Sequence, residues 1–145
     1  MLSETELDEA RQIIVRALDE DLRYGPYVTT AATVPAGVQA EAAMVTRVPG
    51  VIAGLDVALL VLDEVLGADG YQVVQRVADG TRVDAGAPVL SLRADTRGLL
   101  TAERTMLNLV CHLSGIATAT AAWVDAVDGT SARIRSDTLL DRISS

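Results

Sequence analysis

Arg104, Asn108 and His112 stand four positions apart, so on a helix they fall on successive turns and can share a polar seam. A guanidinium presents a planar fork of donors that matches a carboxylate bidentately and stays charged at any working pH. An imidazole titrates near neutrality and can move a proton. Each residue also has a plainer reading. Arg104 can pair with Glu103 or a nearby acid at a solvated helix start, and His112 is expected as a satisfied core or interface histidine. One His beside one Cys gives no zinc spacing, so neither is assigned as a metal ligand, and Cys111 is expected to be inert packing. Glu20 and Asp21 resemble an acid/base pair, but adjacent carboxylates at a helix end are expected to cap it or face solvent. Arg23 and Arg97 are expected on the surface. No catalytic residue is assigned.

Composition narrows the chemistry further. All twelve basic residues are Arg. Without Lys there is no Schiff base, no P-loop lysine and no attachment point for biotin or lipoate, although the Gly80–Gly86 turns resemble those of lipoyl modules. A formal net charge of -8 and a pI near 4.5 repel phosphate backbones, so nucleic acid is not an expected partner. An anionic substrate must then be held by local Arg side chains. The single cysteine allows no internal disulfide and suits a reducing compartment. The first ten residues carry acids where a secretory signal carries bases, and a cytoplasmic location is expected. Thr105 to Val124 contains no Asp, Glu, Lys or Arg and is long enough to span a bilayer. Asn108, His112, Ser114 and several Thr spread round it, with Gly115 interrupting, argue against a lipid-facing helix, so no membrane is expected as a partner.

The elements that must position these residues follow from periodicity. Ser3 with Glu6 is a capping-box pattern, and Leu7, Ala10, Ile13, Ile14, Ala17 and Leu18 recur at helical spacing. Gly25-Pro26 cannot continue that helix. Alternation from Val38 to Val48 predicts a strand, Pro49-Gly50 a turn and Val51–Gly54 a second strand. A helix opened by Gly54 or Asp56 carries Leu55, Leu59, Leu62, Val65 and Leu66 and stops at Gly67. Tyr71–Val77, Arg82-Val83 and Pro88–Arg93 read as strands between Gly turns, as in a small, mostly antiparallel sheet or a barrel-like sandwich. Thr101 reads as the N-cap of a helical stretch reaching about Val127, either one long helix or two shorter ones, with Gly115 the expected place for any break. Ala132–Arg135 can begin another strand. The order gives an α+β fold.

Five stretches carry a resemblance. They are Glu20-Asp21 with Gly25 and Thr29-Thr30; Gly50-Val51-Ile52-Ala53-Gly54; Val77-Ala78-Asp79-Gly80 with Val83 and Gly86; Thr101-Ala102-Glu103-Arg104-Thr105 with Leu107-Asn108; and His112-Leu113-Ser114-Gly115-Ile116-Ala117-Thr118. The joined run TAERTMLNLVCHLSGIATAT is the specific part. Together they resemble the quinolinate phosphoribosyltransferases over residues 1 to about 135, roughly half of a family chain. The resemblance implies an open-faced α/β sandwich over 1–115, the first helix and strand of a truncated α/β barrel over 116–135, and a divergent tail over 136–145. It implies an activity as well: quinolinate and phosphoribosyl pyrophosphate give nicotinate mononucleotide, pyrophosphate and carbon dioxide in NAD biosynthesis. Arg104 then matches the dicarboxylate-binding arginine, which family dimers donate across the subunit interface. Asn108 and His112 would support it from behind. Magnesium is implied with phosphoribosyl pyrophosphate, and the partners implied are these two anions and a second subunit, as a homodimer or higher assembly. An Arg in the first turn of a helix starting at Thr101 would also make more sense with an anion bound there.

The chain departs from the family after Arg135. The family's Asp-Thr-Arg-Lys-Thr run has only Asp137-Thr138 as a remnant, with Leu139-Leu140 in place of the Arg-Lys pair. A frameshift, premature stop or incomplete gene model is the expected origin, and this fragment alone is expected to be inactive. Two other readings stand beside the enzyme: a non-catalytic oligomerisation or binding fragment, and a paralogue with another substrate.

Overall fold

The computed structural model describes residues 3–23 and 33–134. Five strands and three long helices are arranged as α1 (Glu4–Arg23), β1 (Gln39–Val45), β2 (Gly50–Val51), α2 (Leu55–Leu66), β3 (Tyr71–Arg76), β4 (Arg82–Val83), β5 (Pro88–Asp95) and α3 (Thr96–Ala126). The capping box forms as read: Ser3 N and Oγ donate to Glu6 Oε2 at 2.7 and 2.6 Å, and Glu6 N donates back to Ser3 Oγ. Those bonds favour the ionised carboxylate and lower the Glu6 pKa. Ala10, Ile14 and Leu18 form the buried stripe of α1.

β5 is the middle strand of an antiparallel sheet ordered β1-β5-β3. Its burial follows from that position, with Val89, Leu90, Leu92 and Ala94 all in the core. Val45 pairs with Pro88 and Met44 with Leu90, so Val89 is the extra residue of a bulge. That irregularity lets two consecutive β5 residues be buried. One helical layer covers one face of the sheet, and the opposite face carries exposed side chains such as the cross-strand pair Arg93–Glu41 at 3.0 Å. This is the open-faced α+β sandwich expected. β2 and β4 pair separately.

α2 is the core helix, with Leu55, Val57, Ala58, Val61 and Leu62 buried. It ends at Gly67, whose φ of 78° suits a residue without Cβ. Tyr71 ties it to β3 by donating to Asp63 Oδ1 at 2.8 Å; desolvation, then this carboxylate, pushes the phenol pKa up to about 12.

α3 differs from expectation at its start. It begins at Thr96, and its cap is Asp95, which accepts from Gly98 N at 3.0 Å. Thr101 is interior and donates back to Arg97 O. Strand β5 therefore runs into the helix with no loop between them. The helix also passes through Gly115 without a break, so the expected 115/116 boundary falls inside one continuous element. Residues 132–134 form no strand, while Arg135 and the tail over 136–145 lie outside the described residues, as do Gly25 and Thr29-Thr30. α3 is long and apolar enough to cross a membrane by length and composition. Its first half, however, buries Leu99, Ala102, Thr105, Met106, Val110 and Leu113 in the protein core.

Candidate functional site

The polar residues of α3 divide between two faces. On the inner face, Thr118 Oγ1 accepts from Val51 N at 2.9 Å and donates to Val51 O at 3.4 Å. One turn earlier, Ser114 Oγ accepts from Ala53 N at 3.0 Å and donates to Ala53 O at 3.1 Å. Two hydroxyls four positions apart on a helix thus satisfy two backbone units two positions apart on an extended segment, as a neighbouring strand would. The approach is close. A Cβ at Gly50 would lie 2.7 Å from Thr118 Oγ1, and one at Gly54 2.5 Å from Leu113 Cδ1.

Gly54 opens α2 in the left-handed region (φ 91°) and has no side chain to cap the helix. Asp79 supplies that cap from the β3–β4 turn, its two oxygens accepting from Gly54 N at 2.9 Å and Leu55 N at 3.0 Å. At the other end of the molecule, Thr105 Oγ1 donates to Asp21 Oδ2 at 2.7 Å. The five stretches singled out in the sequence are therefore joined by hydrogen bonds: 20–21 to 101–105, and 50–54 to both 77–80 and 112–118.

Arg104, Asn108 and His112 lie on the outer face, all exposed. The guanidinium of Arg104 makes no hydrogen bond or ion pair among the described residues, so it is not consumed by Glu103. Arg11, Arg23, Arg76, Arg82 and Arg93 sit in ion pairs, whereas exposed Arg16, Arg47 and Arg133 share with Arg104 the lack of one among the described residues. The structure brings the seam together as a strip along one helix. No group of three or more His, Cys, Asp or Glu that could hold a metal forms among the described residues.

Several expectations change. Arg104 is in the third turn of α3, roughly 12 Å from its start, beyond the reach of the free N–H groups. The helix-start argument for an anion at Arg104 fails, because Asp95 rather than Thr101 is the cap. His112 is not a core histidine, and Cys111 is an exposed thiol rather than packing. Arg97 is half-buried, with Nε donating to Val34 O at 2.6 Å. Glu20 faces solvent as expected, whereas Asp21 turns inward. The partners of Asp79, Ser114 and Thr118 lie far away in sequence, and nothing local foretells them.

A half-covered antiparallel sheet packed under a long helix, whose outer face presents Arg104, defines an open-faced α+β domain. Residues 28–114 match the family model of the quinolinate phosphoribosyl transferase N-terminal domain, and the chain belongs to that family. It is 67% identical over 135 residues to the nicotinate-nucleotide pyrophosphorylase [carboxylating] of Mycobacterium leprae, covering 93% of this chain and 48% of that protein. A chloroplastic nicotinate-nucleotide pyrophosphorylase of Oryza sativa is 33% identical over 118 residues, covering 81% of this chain and 31% of that protein. Among solved structures, NadC from Streptococcus pyogenes superposes with a TM-score of 0.72 at 36% identity, over 87% of this chain and 44% of that one. The chain spans about a third to a half of the curated relatives it matches.

Proposed function

We propose that this chain serves a quinolinate phosphoribosyltransferase, forming nicotinate mononucleotide, pyrophosphate and carbon dioxide from quinolinate and phosphoribosyl pyrophosphate. The ring nitrogen of quinolinate attacks C1 of the sugar as pyrophosphate departs. Loss of the 2-carboxylate as carbon dioxide leaves its electron pair on the ring carbon, which takes up a proton. Both substrates are polyanions, so fixed cations in a water-poor cleft supply the main stabilisation. The single observation that carries this reading is Arg104, exposed and without an ion pair among the described residues, inside the motif that matches the family.

In this reading Arg104 grips a carboxylate of quinolinate in the site of a second subunit, in a cytoplasmic homodimer or larger assembly. Its position on an outer helix face supports donation outward. Asn108 and His112 stand behind it on the same face. Magnesium would arrive with phosphoribosyl pyrophosphate as part of that substrate. The whole activity needs the barrel that the longer relatives possess, so the 145-residue chain is expected to give no nicotinate mononucleotide by itself.

The test is Arg104→Ala in a full-length protein containing this segment. Loss of a bidentate charge-assisted pair should lower kcat/KM for quinolinate by roughly 100-fold or more, with melting unchanged. Arg104→Lys keeps the charge but loses the fork, and should recover only part of the activity. Unaltered quinolinate kinetics in Arg104→Ala would remove the assignment.

A further inference from the structure

We propose that Asp21 is the positioning residue for Arg104, acting through the buried hydroxyl of Thr105. The inference rests on the Arg104 reading above. Three features that ordinarily disfavour folding meet in this one contact. The buried stripe of α1 runs through Ala10, Ile14 and Leu18, and the next inward position holds an acid. Asp21 is half-buried, while its apolar neighbour Leu22 points outward, 43% exposed. The normal pattern is inverted there. The acid also lies in the last turn of α1, where the helix dipole disfavours negative charge.

Its partner is equally unusual. Thr105 is the one buried polar side chain among the described residues, at 2% exposed. Thr101, one turn earlier, returns its hydroxyl to its own helix at Arg97 O. Thr105 instead directs its hydroxyl across the helix interface to Asp21 Oδ2 at 2.7 Å. For adhesion alone, two apolar side chains of similar shape would hold α1 against α3 as well or better. A hydrogen bond adds what apolar contact lacks, namely a fixed direction. Here it fixes the rotation of α3 at the residue immediately following Arg104. The base of the Arg104 side chain is thereby set relative to the sandwich, and a planar fork must be aimed to engage a carboxylate with both arms.

The experiment uses a full-length protein containing this segment, assayed with quinolinate and phosphoribosyl pyrophosphate alongside thermal melting. Asp21→Ala is expected to raise KM for quinolinate roughly ten-fold and leave KM for phosphoribosyl pyrophosphate unchanged. Asp21→Asn keeps an oxygen able to accept from Thr105 and should stay within about two-fold of the parent. The double variant Asp21→Leu, Thr105→Val replaces the pair by apolar contact, so its Tm should lie within about 2 °C of the parent or above it while KM for quinolinate stays raised. A double variant with parental KM would reduce the pair to packing and overturn the proposal, even if Asp21→Ala fails to fold. Arg104→Ala separates the two readings. If it raises KM for quinolinate while a well-folded Asp21→Ala or the Asp21→Leu, Thr105→Val double variant does not, this inference alone fails. If Arg104→Ala has no effect, the substrate assignment fails and takes this inference with it.

Discussion

The two faces of α3 carry side chains of similar polarity and opposite fate. Thr105, Ser114 and Thr118 on the inner face each have a partner more than sixty positions away in sequence. Arg104, Asn108 and His112 on the outer face are exposed, and the side chains of Arg104 and His112 form no hydrogen bond to another described residue. A polar residue inside a recognisable motif is thus no guide to a site until its partner is known. The inner set holds the domain together, and the outer set is what remains available for a ligand or a second subunit.

Substitutions can sharpen that division or break it. The largest effect on stability is expected at Gly54→Ala. A non-glycine residue at φ 91° is strained, and the new Cβ meets Leu113 at 2.5 Å; together these should destabilise by about 3 kcal/mol in urea unfolding. Ser114→Ala with Thr118→Val removes both hydroxyls and leaves the backbone groups of Val51 and Ala53 short of partners, a loss of about 2 kcal/mol by the same measurement. The smallest effect belongs to the outer face, where Asn108→Ala with His112→Ala should change stability by less than about 0.5 kcal/mol. A double variant there as damaging as the inner one would erase the distinction between the faces.

Much of the architecture was legible because it is locally encoded. The Ser3–Glu6 box and the Gly67 stop depend on residues a few positions apart and form as expected, whereas the strand expected over Val38–Val48 spans only Gln39–Val45, the one expected over Val51–Gly54 is the two-residue Gly50–Val51, and β5 runs past Arg93 to Asp95. The start of α3 was not legible. Asp95 both closes β5 and caps the helix, while Gly98 in the first turn makes Thr101 look like the better beginning. Glycine is required at 98 because a Cβ there would collide with Leu66, a tertiary reason invisible in sequence. Arg104 is singled out by the motif alone, and the structure adds that it is exposed. Asp21 was missed, although one signal existed: an acid in the inward phase of α1 beside an outward Leu22.

The direct passage from β5 into α3 has a mechanical consequence. With no connecting segment to act as a joint, the bearing of the helix is fixed when the central strand takes its place, much as a spoke is fixed to its hub. Arg104 rides on that spoke roughly 12 Å out, so the backbone that carries its guanidinium is held at a preset distance from the hub.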